Sequence, residues 1–161
     1  MVKEIGSNKT EEASQQSISA SSILEVNVAF AEVLWLMNRS EAHRHIPLSD
    51  IDWLVTPPVS LKQVRIFRDE KQAPIACMSW AFVSDEVDRR LKSGSKKLTP
   101  VEWRSGQRFW IIDLVTPYGD PVPIMEFIYT ILPIGRAHPV LRFGGKDLAS
   151  LIGKNRNEPI N

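Results

Sequence analysis

Residues 107–115 read QRFWIIDLV. From Phe109 to Val115 every residue but Asp113 is apolar, at odd and even positions alike. A strand with one wet face alternates, whereas a strand covered on both faces does not need to. The stretch therefore predicts a central strand, the axis of one sheet with helices against it. Asp113 interrupts the run. A carboxylate in a buried strand is costly unless it is paired or hydrogen-bonded. It is either a satisfied structural group or the first candidate for chemistry.

Upstream, Pro74 to Val83 and the shorter run around Val64 and Ile66 read as strands, and Asp69-Glu70-Lys71-Gln72 as the turn of a hairpin. Before them, Ile23, Val26, Phe30, Val33, Leu34 and Met37 recur at spacings of three and four, the apolar stripe of a helix with Ser22 as its N-cap. That helix should end near Asn38 to Ser40, and a loop, Glu41 to Ile46, follows. Pro47 and Pro57-Pro58 bracket a short second helix with Ile51, Trp53 and Leu54. Ser84 should cap a polar helix that closes at Gly94, and Thr99-Pro100 should open another. Downstream, Pro121 should begin a helix with Ile124, Phe127, Ile128 and Ile131 on one face. Pro139 to Phe143 is a last short strand, with a short helix and a frayed end expected from Lys146. The class is α+β, one twisted mixed sheet flanked by helices.

The chain has 161 residues, 43% apolar and 24% charged. That is one domain's worth of core. Residues 1–22 are rich in Ser, Gln, Glu and Lys, which predicts a disordered tail over residues 1–24 before a single domain over residues 25–161. Twenty basic residues against nineteen acidic leave a net charge of +1, which does not suggest nucleic acid as a partner. A single cysteine allows neither an intramolecular disulfide nor a Cys-rich zinc site. No apolar run predicts a membrane span or a secretory leader, so the expected place of work is the cytoplasm, with no stable membrane insertion.

His43 sits on the loop after the first helix, where it is either a solvated loop residue or a general base. His43-x-His45 is too sparse to predict a metal site. Cys77 lies in a buried strand and reads as structural. Gly144-Gly145-Lys146 lacks the rest of a phosphate loop and reads as a turn. Trp35, Trp53, Trp80, Trp103 and Trp110 are mostly core candidates. Arg89, Arg90, Lys92, Lys96, Lys97, Arg104 and Arg108 face a single acid, Glu102, a run of +6 over twenty residues. Such a run is either a solvated face or a docking patch for an acidic partner.

Four segments, in order, resemble the RTX toxin-activating lysine acyltransferases, the hemolysin-activating type. They are Leu34-Trp35-Leu36 with Ser40-Glu41-Ala42-His43-Arg44, then Pro74 to Ala81, then Trp103 to Asp113 running on to Pro117-Tyr118-Gly119-Asp120, and Phe143-Gly144-Gly145-Lys146. The third is the most specific. Where the family often has Cys directly before the Ser-Trp pair, this chain has Met78.

The resemblance implies a GNAT-like fold and transfer of a fatty acyl group from acyl-acyl carrier protein to internal lysines of an RTX-type protoxin. It implies no bound cofactor and no metal, and it admits a homodimer. The family's essential His and Asp fall on His43 and Asp113. Ser40 and Arg44 become substrate-binding candidates. Arg89, Arg90, Lys96, Lys97, Arg104 and Arg108 become candidates for docking the acidic carrier. In the expected mechanism His43 takes the proton of the attacking lysine amine and Asp113 orients it, with a covalent acyl-His or acyl-Ser40 step left open. Two other readings stay open: a non-catalytic carrier-binding adaptor, and an enzyme using acyl-coenzyme A and a small amine.

Overall fold

The computed structural model describes residues 8–119, 122–131, 139–141 and 146–147. Its five strands are β1 (Val64–Arg68), β2 (Pro74–Val83), β3 (Arg108–Val115), β4 (Pro139–Val140) and β5 (Lys146–Asp147), and they form one sheet in sequence order. All neighbours are antiparallel except β3 and β4, which are parallel. β3 is therefore the middle strand, as its two-faced apolar run predicts, and residues 110–115 are all buried.

Helices cover both faces. On one lie α1 (Asn8–Arg39), the short α2 (Ile51–Leu54) and α3 (Thr56–Ser60), and α4 (Asp85–Lys92). Their core holds Val33, Leu36, Met37, Leu54, Val59, Val87 and Leu91 against Cys77, Ala81, Trp110 and Ile112. On the other face α5 (Val122–Ile131) sets Met125 and Ile128 against Met78, Ile111, Leu114 and Val140.

Local signals placed several boundaries correctly. The Ser84 hydroxyl accepts the Val87 amide at the start of α4, and Gly94 closes that segment at φ +106°. Thr99 and Glu102 form a capping box around the 3-10 turn Pro100–Trp103. The hairpin turn between β1 and β2 is held by the Asp69 carboxylate, which accepts the amides of Lys71 and Ala73.

The structure departs from expectation in four places. α1 does not begin after Ser22 but at Asn8, so the segment expected as a tail is helical from there. No Gly or Pro lies between Asn8 and Arg39, and Glu, Ala and Gln favour helix without leaving an apolar stripe to read. The core-facing stripe starts at Val26, and Ile23 is exposed. Pro57 and Pro58 do not close a helix; they form the first turn of α3, where a missing amide costs nothing. Lys146 and Asp147 pair with β4 as a strand, where a helix was expected. Asp120, Pro121, His138, Phe143, Gly144, Gly145 and residues 148–161 lie outside the described residues.

Gly106 is a packing requirement. A Cβ there would stand 2.6 Å from both Ser84 Cα and the Val83 carbonyl, backbone atoms that cannot swing aside. The Gly106 amide meanwhile donates to Phe82 O. Gly106→Ala is expected to cost about 1–3 kcal/mol by overpacking. Thermal unfolding should show a melting temperature lower by about 5 °C.

Candidate active site

Asp113 reaches the site through an irregularity in the sheet. Ser79 pairs with Asp113 and Trp80 with Ile111, which leaves Ile112 with no residue opposite. Such a bulge breaks the strict alternation of a strand. Trp110 and Ile112 belong to the helix-side core, Ile111 and Leu114 to the α5 side. Uninterrupted alternation would put Asp113 with Ile111. Beyond the bulge, Asp113 instead lines a small cavity with Val33 and Met37 of α1. The bulge thus aims the carboxylate at the end of α1.

The end of α1 supplies the rest. The chain leaves the helix at Ser40, whose amide bonds back to Leu36 and Met37 carbonyls, and a tight turn follows in which His43 and Arg44 amides donate to Ser40 O. That turn brings the His43 ring inward, to 6% exposure, while its neighbours Arg44 and His45 stay exposed. His43 Nε2 lies 3.0 Å from Asp113 Oδ1, and His43 Nδ1 lies 2.7 Å from Ser40 Oγ. Ser40 is 6% and Asp113 5% exposed, so the three side chains form one buried polar run. Asp113 Oδ1 also accepts the Leu114 amide.

The tautomer follows from the partners. An ionised carboxylate only accepts, so Nε2–H donates to Asp113 and the Nδ1 lone pair accepts the Ser40 hydroxyl. The arrangement of hydroxyl, imidazole and orienting carboxylate is one that activates nucleophiles and moves protons. Sequence reading placed Ser40 among substrate-binding residues; the structure places it on the imidazole. Arg44, its companion in that expectation, has no side-chain partner among the described residues.

Cys77 lies near Asp113, but burial, with the carboxylate charge second, pushes its thiol well above the usual range. It stays a neutral core residue. Among the tryptophans, Trp103 and Trp110 are fully buried, whereas Trp35 is partly exposed and packs on Tyr118.

The basic run looks different folded. Arg90 pairs with Glu102, Lys92 with Asp88, Lys97 with Asp50 and Arg108 with Asp85. Arg104 bonds to Gln63 and the Leu61 carbonyl. Asp50 comes from a distant part of the chain, and Asp85 and Asp88 sit just outside or at the edge of the window counted. The positive charge read along the sequence is thus largely balanced in space. Of the seven, Arg89, Lys96 and Arg104 have no carboxylate partner among the described residues.

Comparison with known proteins adds identity to this geometry. The family model described as "HlyC: RTX toxin acyltransferase family" matches residues 23–140. The lysine-acyltransferase RtxC of Vibrio cholerae serotype O1 is 32% identical over 99 residues, 60% of this chain and 63% of that protein. The protein-lysine myristoyltransferase RtxC of Kingella kingae is 36% identical over 89 residues, 55% of this chain and 52% of that protein. The protein-lysine myristoyltransferase HlyC of Escherichia coli is 32% identical over 102 residues, 63% of this chain and 59% of that protein. The chain therefore spans between 52% and 63% of the length of these three relatives.

Proposed function

The chain belongs to the RTX toxin acyltransferase family, and we propose that it is a protein-lysine acyltransferase, moving a fatty acyl group from acyl-acyl carrier protein to internal lysines of an RTX-type protein in the cytoplasm. The observation that carries the proposal is the buried run from Ser40 through His43 to Asp113.

A lysine ammonium has an ordinary pKa of about 10.4, so the attacking amine must be freed and its second proton removed as the new bond forms. The amine nitrogen attacks the thioester carbonyl carbon and a C–N bond forms. One proton leaves that nitrogen for Ser40 Oγ as the Ser40 hydroxyl proton passes to His43 Nδ1. Asp113, bonded at Nε2, holds the ring and stabilises the imidazolium that results. Collapse of the tetrahedral intermediate breaks the C–S bond, and the departing thiolate takes the proton back from the imidazolium. The first ammonium proton is lost to bulk water before attack, the second is matched by the proton the departing thiolate takes, and the enzyme returns to its starting state.

A GNAT-like reading of the sheet fits this chemistry. The parallel β3–β4 pair meets at Ile111 and Val140, two residues before Asp113, and the segment after Val115 would admit the donor's thioester arm. For carrier docking, the ion pairs narrow the candidates to Arg89, Lys96 and Arg104.

The 2.7 Å contact at Ser40 supports a second reading, in which Ser40 Oγ itself takes the acyl group before the lysine does. Intact mass of the enzyme after mixing with acyl carrier donor alone separates the two. A relay leaves the mass unchanged; a covalent step adds one acyl group that Ser40→Ala does not acquire. In either case Ser40→Ala is expected to slow lysine acylation about a hundredfold.

A further inference from the structure

Ser79 is 7% exposed, and its hydroxyl has no hydrogen-bond partner among the described residues. A buried hydroxyl without a partner costs about 1–3 kcal/mol, so its place needs a reason. Ser79 stands directly opposite Asp113 in the β2–β3 register, at the last pair before the bulge. Opposed residues in an antiparallel ladder carry their side chains on one face, with Cβ atoms about 4.5–5.5 Å apart. Both line the same cavity, of about 10 Å³, whose other walls are almost wholly apolar apart from Cys77. One buried water needs roughly that much room and two or more polar partners.

We propose that Ser79 is a positioning residue for Asp113, its hydroxyl donating to a single water in this cavity that in turn donates to the Asp113 carboxylate. Cys77 Sγ, on the same face, offers the water a weak third contact. Asp113 is then held on two sides: by the His43 ring and the Leu114 amide at Oδ1, and by the Ser79 water from the cavity. The bulge that turns Asp113 toward His43 leaves Ser79 as the cross-strand neighbour that keeps it there. The inference deepens the reading of Asp113 as the group that orients His43, and rests on it.

The decisive readout does not involve turnover. The Nε2 proton of His43, bonded to a carboxylate, should give a far-downfield proton resonance that is lost in His43→Gln. In Ser79→Ala that resonance should move and broaden while the melting temperature stays at the wild-type value. Ser79→Thr, which keeps the hydroxyl, should restore it. Were Ser79 only an orphaned hydroxyl, alanine would raise stability and leave the resonance in place, and that result overturns the proposal. With acyl donor and acceptor present, Ser79→Ala should lower kcat about tenfold, the equivalent of one hydrogen bond to a charged group, with KM unchanged. A moved resonance in a protein that transfers no acyl group would uphold the role of Ser79 and reject the proposed activity.

Discussion

His43→Gln is expected to reduce lysine acylation about a thousandfold while the protein stays folded. General-base catalysis contributes about 10²–10⁴ to rate, and the glutamine side chain has no basic nitrogen to supply it. Its amide can still donate to Asp113, so the buried carboxylate keeps a partner. His43→Ala should be as inactive, but it also removes the group facing a carboxylate that is 5% exposed. Leaving a buried carboxylate without this hydrogen-bond donor costs at least about 1–3 kcal/mol, so the alanine variant should melt lower. The comparison of the two separates loss of the base from loss of the fold. Acylation is read by mass spectrometry of acceptor peptides, and stability by thermal unfolding.

Asp113→Asn should be nearly as damaging. The side chain keeps its size and can still accept from Nε2–H, so the sheet should hold. What it lacks is the negative charge that stabilises the imidazolium, and its amide can also turn to donate to the ring and fix the wrong tautomer. In serine-protease triads the same change lowers turnover about 10⁴-fold, and a loss of about 10³–10⁴ is expected for Asp113→Asn. The effect should fall on kcat, because Asp113 touches the base and not the bound donor. A variant within tenfold of wild type would mean that Asp113 serves the fold alone.

Part of this site was legible in the residues alone. A carboxylate inside FWIIDLV is conspicuous because water cannot reach it, and a histidine just past a well-marked helix stands where scaffolds place functional groups. Strand β3 was legible for the same reason as Asp113: both follow from burial on two faces. Hidden was everything set by register. The bulge at Ile112 is a property of the pair β2–β3, and neither strand announces it. Without it, neither the side of the sheet that Asp113 faces nor its pairing with Ser79 can be read.

Charge was misleading for a related reason. The run from Arg89 to Arg108 counted as strongly positive only because Asp85 and Asp88 fell outside the window and Asp50 lay far off in sequence. Folding brings them together. Arg89, Lys96 and Arg104 keep the proposal of an acidic partner on a smaller footing. The early part of α1 was missed because residues 8–22 hold a single large apolar residue, Ile18, and so carry no apolar periodicity to read.

The central claim is transfer of an acyl group to lysine. It is met most directly by mixing the purified full chain with acyl-acyl carrier protein and an RTX-type acceptor, then mapping acceptor lysines by mass spectrometry. The account predicts an acyl mass on lysine ε-amines that disappears with His43→Gln. Binding of the carrier with no acylated lysine, in a protein whose Ser40, His43 and Asp113 are intact, would contradict it and leave a carrier-binding adaptor in its place.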